Sequence, residues 1–110
     1  MKATVVVLLD AAKTKAAVIW FDETKHHAPV LINKLEGERV SKMIHFAVQR
    51  KIVLITNTRI CESLHKTAKS RTIIPEIYFL DVAEILVVVM KFDGAKAVIT
   101  DTLLDEIKKI

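Results

Sequence analysis

The sequence predicts an α/β domain in which a small four-stranded sheet is packed by three to four helices. Three observations carry this. Two apolar runs rich in β-branched residues, 3–9 and 16–21, flank a short polar insert at 10–15. Residues 38–50 repeat their apolar side chains at helical spacing. That helix is followed at once by the wholly apolar run 52–55, the pattern of a parallel strand covered on both faces.

The elements follow in chain order. The runs 3–9 and 16–21 read as buried strands. The insert Asp10-Ala11-Ala12-Lys13-Thr14-Lys15 between them reads as a hairpin loop, although no Gly or Asn supplies a tight turn. Residues 22–28 form a polar loop that holds His26-His27 and closes at Pro29, and 30–32 reads as a short strand. In helix 38–50, Val40, Met43, Ile44, Ala47 and Val48 share one face. A strand over 52–56 leads to a helix over 58–69 with Ile60, Leu64 and Ala68 in line. Residues 70–74 read as a loop, and Pro75-Glu76 suits a helix start. Beyond residue 84 two signals compete. Val87-Val88-Val89 favours strand, and Asp93-Gly94 favours a hairpin. Residues 102–110 read as a last short helix, with Thr102 and Asp105 at capping-box spacing.

Composition narrows the function. A chain of 110 residues is one domain by length. Its few aromatics make the core aliphatic. A net charge of +4 without a run of like charges gives no nucleic-acid arm. Cys61 is the single cysteine, which excludes an internal disulfide and a zinc-binding cysteine pair. No signal-peptide pattern is visible, and no apolar run approaches the ~18–20 residues that cross a bilayer. Gly37 and Gly94 are the only glycines, so no Walker loop or dinucleotide fingerprint exists, and no cofactor is expected.

Two constellations could carry chemistry. Cys61 and His65 stand at i, i+4 on one helix face, the spacing of a thiol–imidazole pair, but nothing nearby supplies an orienting group or an oxyanion site. His26-His27 could ligate a metal, but adjacent loop residues seldom point at one ion and no carboxylate or Cys completes the set. His45 adjoins the apolar face of its helix as a boundary residue. A small thiol- or metal-dependent enzyme using Cys61 and His65 is therefore the alternative function, not the leading one.

The order of motifs supplies the leading one. "FDETKHHAPVLINKLEG" (21–37), "IVLITNTRICESLHKT" (52–67) and "IIPEIYFLDVAEILVVVM" (73–90) together resemble the cytosolic domain of the flagellar and type III secretion export-switch family, the FlhB/YscU type. Phe21-Asp22 and Ala28-Pro29-Val30 resemble that family's Tyr-Asp and Ala-Pro segments. Residues 60–66 resemble its Leu-Ala-Arg-x-Leu-Tyr-Lys helix, with Leu64 and Lys66 matching and Cys61, Glu62 and His65 departing. Ile74-Pro75-Glu76 matches the start of its final helix, and Asp81–Leu86 resembles its Ala-Val-Ala-Glu-Val-Leu. The resemblance implies a helix to about Met90, ended by Asp93-Gly94. It divides the chain into an export-switch-like domain, 1–92, and a C-terminal tail or short helix, 93–110, the best candidate for a detachable part.

The family's self-cleaving Asn-Pro-Thr-His loop falls, by this resemblance, on Ala11, Ala12, Lys13 and Thr14, none of which matches. The resemblance thus implies a non-enzymatic binding module of an export apparatus, like its substrate-specificity switch but not self-cleaving. Its partners would be export-gate proteins, export substrates or their chaperones, with no nucleic acid. It would lie in the cytoplasm at the inner face of the bacterial inner membrane, held there through partners. Lys13, Lys15, Lys25, His26 and His27 are the expected partner-facing residues.

Overall fold

The computed structural model describes residues 3–25, 27–91 and 99–110. Strands β1 (Ala3–Leu9), β2 (Lys15–Asp22), β3 (Val30–Glu36), β4 (Val53–Thr56) and β5 (Thr72–Ile73) form one sheet in the order β4-β1-β2-β3-β5. Helices α1 (Glu38–Arg50), α2 (Thr58–Thr67), α3 (Phe79–Met90) and α4 (Asp101–Lys109) cover it. β1 pairs antiparallel with β2 and parallel with β4, as the apolar run at 52–55 requires.

The sheet has two buried faces, because consecutive side chains of a strand point to opposite sides. Val5, Val7, Leu9, Ala16 and Val18 face a core completed by Val40, Met43 and Ala47 of α1 and by Leu103, Leu104 and Ile107 of α4. Val6, Leu8, Ala17 and Ile19 face the other core, with Ile60, Cys61 and Leu64 of α2 and Val82, Leu86 and Val89 of α3.

The structure corrects the sequence reading in several places. The sheet has five strands, because Thr72 and Ile73, expected in a loop, pair with Leu31 and Val30. β3 runs to Glu36 instead of stopping at 32. Its polar interior residues find partners: Asn33 Nδ2 donates to the Ile107 carbonyl, and Lys34 Nζ donates to the carbonyls of His65 and Ala68. A bulge opposite Val18/Ile19 turns both Ile32 and Asn33 towards α4. α2 ends at Thr67, where Ala68 turns extended. The element expected over 76–91 begins as a 3-10 turn, Glu76–Tyr78, before α3. The competition after residue 84 is decided for helix, since Leu86 and Val89 fall on the buried face with Val82. Asp93-Gly94 lies outside the described residues.

Two expected faces are also redrawn. Val48 is 65% exposed, so α1 buries a narrower stripe than its apolar spacing suggests. His45 is exposed. Ile77 of the 3-10 turn and Leu80, Val87 and Val88 of α3 are exposed, as is Glu84, so the outer side is not uniformly polar.

The C-terminal segment is not detached. α4 buries three apolar side chains, and its N-cap is Thr100, whose Oγ1 accepts from Leu103 N, rather than Thr102. Its last carbonyls are taken up from three directions. Asn33 donates to Ile107, Arg71 to Lys108, and Arg39 Nε to Ile110. Arg50, stacked over Phe46, adds a bidentate pair with Glu106 at 2.9 Å.

Ile107→Ala is expected to cost about 2–4 kcal/mol through lost burial and a residual cavity, while Val48→Ala stays within about 0.5 kcal/mol. Urea denaturation of both variants checks the contrast.

Candidate functional site

The β1–β2 loop is built around one carboxylate. Asp10 is 4% exposed and closes the loop on itself. Its Oδ1 accepts from the backbone N–H groups of Thr14 at 2.8 Å and Lys15 at 3.0 Å, and its Oδ2 accepts from Thr14 Oγ1 at 2.6 Å. The Lys13 N–H donates to the Asp10 carbonyl, and Lys13 takes the left-handed conformation, φ 59°. This is how the chain turns without Gly or Asn. The aspartate side chain satisfies the donors that a tight primed turn would otherwise pair across the strands.

The loop is tied to the helix beneath it. Ala11 N–H donates to Thr58 Oγ1 at 2.9 Å, and Asn57 N–H donates to the Leu9 carbonyl. Asn57 also caps α2, its Oδ1 accepting from Ile60 N. Ala11, Ala12, Lys13 and Thr14 are all exposed, with Lys15 half-buried at the start of β2.

Three hydrogen bonds to its ionised form hold the Asp10 carboxyl below the usual carboxylate range. The Thr14 hydroxyl is the largest cause and the Lys15 N–H the next, and they outweigh the opposing effect of burial.

Cys61 and His65 are each held by backbone carbonyls. The Cys61 thiol is buried beneath the loop, 3.6 Å from the carbonyls of Leu8 and Lys15. Burial first, and then the nearby Asp10 charge, push it up to about 11, so it stays protonated at neutral pH. The His65 ring is turned away to the Ala16 carbonyl, to which Nε2 donates at 2.8 Å.

The second expected surface is the loop after β2. Asp22 organises it, accepting from Thr24 N–H and Oγ1, and Lys25 N–H donates to the Asp22 carbonyl. Lys25 and His27 are exposed, and His26 lies outside the described residues. Ala28 and Pro29 are buried, and the Pro29 carbonyl accepts from Ile74 N–H. Among the described residues no group of three or more His, Cys, Asp or Glu could hold a metal ion. The structure brings Lys13 and Lys15 together at one hairpin end and holds Lys25 and His27 in a separate turn at its other end.

Sequence reasoning missed Asp10 as the residue that organises the loop. The signal was present: an Asp at the end of a strand, followed four residues later by Thr, is an Asx-type turn opener.

Residues 1–89 match the sequence model of the FlhB HrpN YscU SpaS family. The chain belongs to this family. Among solved structures it is similar to the cytoplasmic domain of FlhB from Shewanella putrefaciens, at 21% identity and a TM-score of 0.77, covering 91% of this chain and 89% of that one. It is also similar to a single-substitution variant of the EscU C-terminal domain, at 20% identity and a TM-score of 0.75, covering 82% of each. No curated protein matches the chain. The mixed α/β fold expected from the sequence is thus the fold of the FlhB and EscU cytoplasmic domains, with five strands in place of four. No helix among the described residues is long and apolar enough to cross a membrane.

Asp10→Ala is expected to lower stability by about 1–3 kcal/mol, since it strands the Thr14 and Lys15 donors. Because the folded carboxyl titrates below its unfolded value, its contribution is present above about pH 4 and is lost as pH falls through the folded value. The urea midpoint of the parent therefore drops more steeply below about pH 4 than that of Asp10→Asn.

Proposed function

We propose that this chain is a non-enzymatic binding domain of a type III or flagellar export apparatus, similar to the substrate-specificity switch and not self-cleaving. Membership of the family supports the apparatus. The observation that carries the rest is Ala11. An asparagine there would present a side-chain amide to its own carbonyl, and alanine has none. The chain's asparagines, Asn33 and Asn57, precede Lys34 and Thr58, so no Asn-Pro bond exists anywhere in it. The nearest thiol, Cys61, is protonated and bonded to carbonyls, which supplies no substitute nucleophile.

In this reading the exposed loop 11–14, with Lys13 and Lys15, and the turn with Lys25 and His27 face partners. These partners are export-gate proteins, export substrates or their chaperones. The domain works in the cytoplasm at the inner membrane, held there by those partners. Asp10 fixes the loop in one shape, so it presents a constant surface rather than one remodelled by cutting.

Intact mass is expected to remain whole after prolonged incubation at neutral pH, and a fragment ending between residues 10 and 15 would refute the non-cleaving assignment. With the domain as bait in a cell that carries an export apparatus, enrichment of export-gate components or secretion chaperones is expected. A pull-down without them at low salt would remove the binding role.

A further inference from the structure

A second feature lies beside the loop and shares only Lys15 with the expected partner surfaces. Lys15 at the start of β2, Lys34 and Glu36 on β3, Arg39 on α1, and Glu62, His65 and Lys66 on α2 line a cleft of about 570 Å³. That volume falls within the roughly 300–1,000 Å³ of ordinary ligand sites.

Its charges are arranged unusually. Four cations face two carboxylates, and among the described residues none of the six is paired with an oppositely charged side chain. The chain's ion pairs, Arg50–Glu106 and Arg59–Asp81, lie elsewhere. Two of the cleft's cations are instead held in place by main-chain oxygens. Lys34 Nζ is fixed by the carbonyls of His65 and Ala68, at 3.2 and 2.7 Å. Arg39 Nε is fixed by the main-chain oxygen of Ile110 at 2.7 Å. Lys34 is thereby set in place while its positive charge remains without a carboxylate. Lys15, directly opposite Glu36 in the β2–β3 register, and Lys66 complete the wall.

We propose that this cleft binds a short acidic segment of a partner protein, its Asp or Glu side chains meeting Lys15, Arg39 and Lys66 and its backbone N–H groups meeting Glu36 and Glu62. The two carboxylates select between anions. A compact polyphosphate or a nucleic-acid backbone brings only acceptors and is repelled by Glu36 and Glu62, whereas a peptide brings acceptors and donors alternately along its chain. The cleft also adjoins the loop, because Gly37 N–H donates to the Thr14 carbonyl where β3 passes into α1. An occupant would therefore rest on the base of the β1–β2 hairpin. The proposal rests on the export reading for the source of the segment, but not for the chemistry.

The test titrates the full ¹⁵N-labelled chain with a short capped peptide alternating Glu and Gly. Saturable amide shifts at Lys15, Lys34, Glu36 and Lys66 are expected. Affinity should fall about tenfold or more in Lys15→Glu/Lys66→Glu and with added salt, since the contacts are part-exposed and screened. Lys42→Glu, away from the cleft, should leave it unchanged. If the double variant does not fold, Lys66→Gln alone should still weaken binding severalfold. The proposal is overturned by unsaturable shifts, by shifts spread equally over Lys42 and Lys109, or by pyrophosphate or an oligonucleotide binding as tightly as the peptide. Those failures leave the export role untouched, because the pull-down reads intact apparatus components and not this peptide.

Discussion

The fold depends on β1 being buried on both faces. A strand in that position has no wet side, so all its central residues are apolar, and Val5 to Leu9 meet this. Their alternation divides the interior: the odd residues serve the core under α1 and α4, the even ones the core under α2 and α3. A one-residue slip against β2 would exchange the two sets and misplace both cores at once. The parallel pairing with β4 is possible only because α1 carries the chain across the sheet, so the crossover helix and the central strand specify each other.

Polar residues inside this apolar frame answer to unpaired backbone groups. Helices leave their last carbonyls without partners, at the negative end of the helix dipole. Lys34 supplies a cation to the end of α2, and Arg39 and Arg71 supply cations to the end of α4, with Asn33 beside them. Part of the modest basic excess of the chain is therefore structural. At the cleft, Lys34 and Arg39 both satisfy main-chain oxygens and line the wall.

The sheet and most helices were legible in the sequence, because apolar periodicity reports burial directly. Ala3–Leu9, Glu38–Arg50 and Val53–Thr56 came within a residue of their bounds. The misses share a physical cause, which is that a long-range contact overrode a local pattern. Asn33 and Lys34 read as the end of a strand, yet β3 continues because carbonyls of α4 and α2 receive them. Thr72 and Ile73 carry no strand pattern and pair only because β3 offers a free edge. Val48 keeps helical spacing but overshoots what α4 and the sheet can cover. At the loop, the polar insert was legible and the means of its closure was not. Asp10 was read as part of a polar insert when it is the buried residue of that insert.

The grip on α4 has a consequence for how this segment changes over evolutionary time. Three of its attachments reach main-chain carbonyls, which every residue type possesses. Only the apolar stripe, the Thr100 cap and Glu106 impose side-chain identity. A helix held in that way can drift in sequence while keeping its seat, and it leaves a faint trace in any comparison of sequences. The family match ends at residue 89, before this helix begins. The packed core thus takes in residues beyond those that the family model matches.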